Sequence, residues 1–215
     1  MSVWAVVVAA GSGTRFGGFK QYELLGHRTV VDWAVAASRS VAAGVVLAVP
    51  PNRPPRGEEE VDAVVVGGAT RSSSVRAGLA ALPPEADVVV IHDAARPLAT
   101  PALFEAVVAA VRAGADGAVP GIPISDTVKR VRDGQVVATL DRAELVVVQT
   151  PQAFRADILR RAHLGEPEAT DDAALVEAAG GRVVVVAGDA DNLKLTAPED
   201  LAGAEHRVNA RRPGP

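Results

Sequence analysis

The chain has 215 residues, 48% of them hydrophobic and 3% aromatic, with a formal net charge of −4. That composition supplies one large core of small side chains, and a single domain over residues 1–215 is expected. The acidic balance argues against a nucleic-acid partner held by phosphate contacts, and the absence of cysteine excludes disulfides, thiolate metal sites and cysteine nucleophiles.

Met1-Ser2-Val3-Trp4 opens directly onto a strand pattern, with no basic segment or small-residue cleavage site. No apolar run reaches the roughly 18 residues of a membrane span. A cytoplasmic protein without a membrane partner is expected. The first strand is predicted over Val3–Ala9, then a helix over Thr29–Ser38 and strands over Val45–Val49 and Val61–Val66. Asn52–Glu60, rich in Pro, Arg and Glu, reads as a solvated loop, with Glu58-Glu59-Glu60 a surface charge run. A helix over Ser72–Leu82 leads to a strand over Val88–His92. The next helix, Thr100–Ala113, has Thr100 as N-cap, Pro101 at the first helical position and Gly114 as its stop. Further strands are predicted over Gly117–Pro120, Val146–Gln149 and Arg182–Ala187. Helices are predicted over Asp171–Ala179 and Pro198–Val208, with Arg211–Pro215 a frayed tail.

Several of these strands are continuously apolar, as parallel strands covered on both faces are. Their alternation with helices predicts an α/β fold with a Rossmann-like open, mostly parallel sheet. Thr127–Leu140 breaks the alternation: Val128, Val131, Val136 and Val137 surround Asp133-Gly134, a hairpin turn signal. An inserted β-hairpin arm, at about residues 124–143, packs most economically against a second subunit, so a homodimer is expected.

The first strand empties into Ala9-Ala10-Gly11-Ser12-Gly13-Thr14-Arg15-Phe16-Gly17-Gly18, with Lys20 close behind. Ligands of open α/β sheets sit beyond the carboxyl ends of the strands, where glycines let backbone N–H groups approach phosphate oxygens. Two phosphate motifs do not fit. A Walker A loop needs Gly-Lys-Ser/Thr, which is missing. A dinucleotide fingerprint needs its third glycine three residues after the second, but Gly17 comes four after Gly13. It also needs an acid after the second strand, where Pro50-Pro51-Asn52 stands instead. What remains is a glycine loop carrying its own cations, Arg15 and Lys20. Nucleotidyl transfer, which builds negative charge on phosphorus and its leaving group, suits that arrangement.

The loop with Lys20-Gln21 resembles the signature of the 2-C-methyl-D-erythritol 4-phosphate cytidylyltransferase family. The resemblance continues, in order, through Gly67-Gly68 with Arg71-Ser72-Ser73-Ser74-Val75, His92-Asp93-Ala94-Ala95-Arg96-Pro97 and Asp191-Asn192-Leu193-Lys194-Leu195-Thr196. Asp126-Thr127-Val128-Lys129-Arg130, Asp141-Arg142 and Thr150-Pro151-Gln152 agree with it. It implies a fold of the nucleotide-diphospho-sugar transferase type and, as cofactor, magnesium (Mg2+) held mainly by CTP phosphates. The implied reaction is cytidylyl transfer from CTP to 2-C-methyl-D-erythritol 4-phosphate, with release of pyrophosphate.

By the same resemblance Ala9, Ala10, Gly11 and Gly13 would hold CTP through backbone contacts, with Arg15 and Lys20 stabilising the transition state. Gly68 and Ser74 would lie at the cytosine and ribose end, and Asp93 between nucleotide and acceptor. Arg142 and Lys194 would position the acceptor phosphate, with Thr127, Arg96 and Thr170 nearby. Arg142 follows the hairpin, and in the family that arm reaches the neighbouring subunit's site. One stretch departs from the family pattern: Gly17-Gly18-Phe19 is shorter than usual and lacks the proline before the lysine, leaving Lys20 on a flexible loop.

The charges are consistent with the reaction. Two anions resist meeting, so cations must draw both in and hold them in line. The attacking phosphate oxygen is already deprotonated, so no general base is needed. A cytidylyltransferase for another polyol phosphate, such as ribitol 5-phosphate, would keep the glycine loop and alter the acceptor pocket. A non-catalytic nucleotide-binding protein on the same fold is the other alternative, although sensing would not need four cations. Plain structural duties compete for several residues: Ser72–Ser74 as an N-cap, Asp171-Asp172 as acids of a helix first turn, and His27, His163 and His206 as surface or filler. His92 is expected to pack behind the site without a chemical role.

Overall fold

A computed structural model describes residues 1–52 and 60–210. The loop expected over Asn52–Glu60 and the tail expected over Arg211–Pro215 lie largely or wholly outside the described residues. In chain order the strands are β1 (Val3–Val8), β2 (Leu24–Leu25), β3 (Arg28–Thr29), β4 (Gly44–Val49), β5 (Ala63–Val66), β6 (Val88–Asp93), β7 (Gly117–Pro123), β8 (Val128–Arg132), β9 (Gln135–Leu140), β10 (Val146–Val148), β11 (Gln152–Arg155) and β12 (Val183–Ala187). The helices are α1 (Val30–Arg39), α2 (Arg71–Ala80), α3 (Pro101–Arg112), α4 (Ala156–Ala162), α5 (Asp172–Ala178) and α6 (Glu199–Ala210).

Strands β5, β4, β1 and β6 pair in parallel and in that spatial order. All residues of β4 and β6 are buried, as their unbroken apolar sequences require. Alternate side chains feed two cores. Ala5, Val7, Leu47 and Val90 pack with α1 and with Phe104, Val107 and Val111 of α3. Val6, Val46, Val89 and Ile91 pack on the other face with Val75 and Leu79 of α2, Leu159 of α4 and Val176 of α5. The sheet is mostly parallel but mixed. β11 runs antiparallel between β6 and β7, β10 continues along the same edge of β7, and β12 pairs in parallel on its other edge. Neither β11 nor α4 is evident from the sequence pattern, because each is short and lacks a clear period.

The hairpin forms as expected. Asp133 (φ 49°) and Gly134 (φ 76°) supply the two left-handed positions of a tight turn joining β8 to β9. It is a separate two-stranded sheet, and Val131, Val136 and Val137 on it are exposed. The helix expected to begin at the serines is instead capped earlier by Thr70, in a reciprocal pair with Ser73. Among the described residues, no helix is long and apolar enough to cross a membrane.

Helix α2 lies close against β1, whose end carries the glycine loop. A Cβ at Gly78 would run into Val6 Cγ1. Gly78→Val is therefore expected to destabilise: overpacking costs about 1–3 kcal/mol, more than the roughly 0.5 kcal/mol gained in helix propensity. Thermal unfolding should show Tm lowered by several degrees.

Candidate functional site

Two adjoining cavities open at the carboxyl ends of β1 and β6. One, about 350 Å³, is walled by the glycine loop, Lys20, Gln21, the turn over residues 68–71, Ser74, Asp93 and Lys194. The second, about 240 Å³, is lined by Arg96, Gln149, Thr150, Gln152, Thr170 and Asp171. Arg71, Asp93 and Lys194 belong to both and form the wall between them.

The glycine loop is shaped from within. Gly13 (φ +64°) leaves no room for a Cβ, which would collide with the Gly18 carbonyl. Its own carbonyl accepts from the N–H groups of Phe16, Gly17 and Gly18 at 2.8, 2.9 and 3.3 Å. Gln21, buried behind the loop, donates to the carbonyls of Ala9 and Gly11 at 2.8 and 3.2 Å. With those carbonyls engaged, the N–H groups of residues 10–13 have no hydrogen-bond partner among the described residues. Phosphate oxygens satisfy such a row of donors.

Asp93 ends β6. Its N–H donates to Thr150 Oγ1 at 3.1 Å, and its two carboxylate oxygens accept from Arg71 Nε at 3.0 Å and Lys194 Nζ at 2.7 Å. Burial alone would raise its pKa, but Arg71 and Lys194 outweigh burial and hold it well below the usual carboxylate range. The pairs are therefore intact throughout the neutral range, and on the acid side they are lost as pH falls through that lowered value. Burial opposes the charge of Arg71 too, yet Asp93 and Asp172 raise its pKa further.

Lys194 sits on an irregular strap pinned on both sides. Leu195 is fully buried with Leu25 and Leu98, and its N–H donates to the Ala95 carbonyl at 2.8 Å. Asn192 is fully buried and donates to the Thr150 carbonyl at 2.9 Å. Gln149 receives the N–H of Asp189 at 3.1 Å and donates to its carbonyl at 2.8 Å.

The chain matches the family model for 2-C-methyl-D-erythritol 4-phosphate cytidylyltransferase (IspD) over residues 3–210. It belongs to that family. A relative from Streptomyces avermitilis, named 2-C-methyl-D-erythritol 4-phosphate cytidylyltransferase, is 44% identical over 97% of this chain and 92% of its own length. A bifunctional enzyme IspD/IspF from Nitratidesulfovibrio vulgaris (strain DP4) is 44% identical over 94% of this chain. Only 57% of that relative is matched, so the chain spans little more than half the length of the bifunctional relatives. The crystal structure of 2-C-methyl-D-erythritol 4-phosphate cytidylyltransferase from Thermus thermophilus superposes with a TM-score of 0.82 at 37% identity, covering 97% of this chain and all of that one.

Within this IspD framework, the first cavity gathers Ala9, Ala10, Gly11, Lys20, Gly68, Ser74 and Asp93, the second adds Arg96 and Thr170, and Lys194 lines both. Gly13 shapes the loop from outside the cavity wall. Arg15 is exposed and lines neither cavity, although its charge reaches Lys20. Thr127 and Arg142 are exposed beside the arm and line neither cavity of the single chain; Arg142 Nη1 donates to the Ser125 carbonyl. Lys20 does not hang on a free loop. It begins a 3-10 turn, and its Nζ donates to the Leu195 carbonyl at 2.6 Å. Arg96 gives Nη1 to the Asn192 carbonyl at 2.8 Å, so it also braces the strap.

The sequence reading missed Gln21, Arg71, Gln149 and Thr150 as site residues, although Gln21, Arg71 and Thr150 lie inside the motifs. Two others, Asp172 and His163, make contacts beyond the duties expected of them. Asp171 does cap α5, accepting the Ala174 N–H at 3.0 Å. Asp172 lies in the first turn of α5 and is also fully buried, bonded to Arg71 and to His163, which is buried as well. His92 packs behind the site against Phe104, and burial pushes its pKa down to about 4, leaving it neutral.

Four cations against two carboxylates line the two cavities, on a protein of net charge −4. The pKa of Lys20 is lowered by burial, then by Lys194 and Arg15. A bound polyphosphate favours the charged amine and moves that pKa back up, so alkaline binding takes up protons and weakens as pH rises. Calorimetric titration with tripolyphosphate at about pH 9, in buffers of different ionisation heat, should show this uptake. Lys20→Arg, which stays charged, should lose that component and still bind.

Proposed function

We propose that this chain transfers the cytidylyl group of CTP to 2-C-methyl-D-erythritol 4-phosphate. The observation that carries the reading is the wall of Arg71, Asp93 and Lys194, which separates a cavity lined by the glycine loop from a second, cation-lined cavity. Membership of the IspD family and the names of its relatives favour this acceptor over ribitol 5-phosphate.

CTP would lie in the first cavity, its phosphates on the N–H groups of residues 10–13 and near Lys20. The acceptor's phosphate would enter the second cavity and be drawn to Lys194 and Arg96. Its oxygen attacks the α-phosphorus in line, a new P–O bond forms, and the bond to the β-phosphate oxygen breaks with its electron pair leaving on pyrophosphate. Lys20 meets the charge that develops, with Arg15 closing in from the loop. No proton has to move, so the neutral His92 is compatible with the mechanism.

Magnesium fits as the counter-ion of the triphosphate. Asp93 is the sole carboxylate among the described residues on the nucleotide cavity, and both its oxygens are engaged. Among the described residues no cluster of three His, Cys, Asp or Glu could hold a metal. When bound with CTP, the ion supplies further positive charge at the phosphates.

The arm supports a second copy as partner. An isolated two-stranded hairpin is marginally stable in water, and its exposed Val131, Val136 and Val137 need a cover. Thr127 and Arg142 would then complete the partner's acceptor cavity.

Pyrophosphate release from CTP and magnesium is expected with 2-C-methyl-D-erythritol 4-phosphate and not with ribitol 5-phosphate. Lys194→Ala should lower it by about a hundredfold. Turnover with ribitol phosphate alone would overturn the acceptor. Val136→Asp with Val137→Asp should convert a dimer to monomer in sedimentation and reduce turnover through Arg142.

A further inference from the structure

A line of alternating charges runs back from the wall between the cavities into the interior. Lys194 meets Asp93, Asp93 meets Arg71, and Arg71 Nη1 donates to Asp172 Oδ2 at 2.7 Å. Asp172 Oδ1 then accepts from His163 Nε2 at 3.0 Å. A carboxylate only accepts, so Nε2 carries the hydrogen of that bond. Asp172 is fully buried, the His163 side chain is 4% exposed, and neither lines the two cavities. His163 caps the end of α4 and Asp172 opens α5, so the line ties two helices to the site.

We propose that Asp172 and His163 are positioning residues that fix Arg71, and through it Asp93, so that the Lys194 ammonium is held where the acceptor's phosphate enters. This rests on the reading of the second cavity as the acceptor's. A guanidinium has several donors in one rigid plane. With Nε on Asp93 and Nη1 on Asp172, that plane cannot turn toward solvent or follow an incoming phosphate. Asp93 Oδ1 is thereby fixed, which aims Oδ2 at Lys194. Asp172 in turn needs a second partner on its other oxygen, because a buried carboxylate is tolerated only when fully hydrogen-bonded. His163 is that partner. A purely structural link between α4 and α5 would be served as well by apolar packing and would leave the lysine indifferent to it.

The test compares His163→Leu and Asp172→Asn with His163→Gln, whose amide can donate to Asp172 in place of the imidazole. In steady-state kinetics the first two should raise KM for the acceptor about tenfold and leave KM for CTP within about twofold, whereas His163→Gln should stay near the wild type. A lowered Tm with both KM values unchanged, or an equal rise in both, overturns the proposal. A second readout is independent of turnover. The chain has three lysines, Lys20, Lys129 and Lys194, so acetylation by an N-hydroxysuccinimide ester can be followed at each by peptide mass spectrometry. Freed from a fixed Asp93, Lys194 should react several times faster relative to the exposed Lys129 in His163→Leu and Asp172→Asn, and at the wild-type rate in His163→Gln. Unchanged protection of Lys194 overturns the relay. A wild type that releases no pyrophosphate from CTP and either polyol phosphate defeats the acceptor reading, and acetylation still decides the relay.

Discussion

One carboxylate organises the site. Asp93 stands at the end of a fully buried strand and divides its two oxygens between Arg71 and Lys194. Each cation would repel the other without it, and each belongs to both cavities. Removing the carboxylate would leave two cations side by side without compensation, most costly at Arg71, the more buried of the two. Asp93 therefore does two things at once. It keeps both positive groups on the wall between the two cavities, and it offsets their mutual repulsion there. The lowered pKa of Asp93 records how strongly the two cations prefer it charged.

The glycine loop follows the same logic with backbone dipoles. Gln21 holds the carbonyls of Ala9 and Gly11, while the N–H groups of residues 10–13 have no hydrogen-bond partner among the described residues. An acidic protein thus presents a locally positive pocket. Long-range attraction cannot explain such a site, since the net charge is negative; near-neighbour geometry has to.

Much of this was legible in the sequence, and the limits are physical. Continuous apolar runs identified β1, β4 and β6, because strands buried on both faces have no polar period to hide in. Asp133-Gly134 identified the hairpin, since two consecutive left-handed residues have few other uses. The glycine loop, Asp93 and Lys194 were readable as local motifs. Arg71 was quoted inside a motif yet given no role, because its meaning lies in Asp93 and Asp172, distant in sequence. The His163–Asp172 bond depends on how α4 and α5 meet, and α4 itself was invisible. β11 escaped for the same reason: its four residues carry no period, and its antiparallel place is decided by the gap between β6 and β7. Thr127 and Arg142 lie beside the arm, where a single chain leaves them exposed.

By its charge, the Asp93 carboxylate holds Arg71 and Lys194 on the wall between the two cavities. The most direct measurement is single-turnover pyrophosphate release by Asp93→Asn, in protein shown by circular dichroism to be folded at the assay temperature. The substitution keeps the shape and removes the charge. A loss of about a hundredfold or more in the rate of the chemical step is the predicted result. A rate within a few-fold of the wild type would contradict it, and would mean that Arg71 and Lys194 are held in place by something other than Asp93.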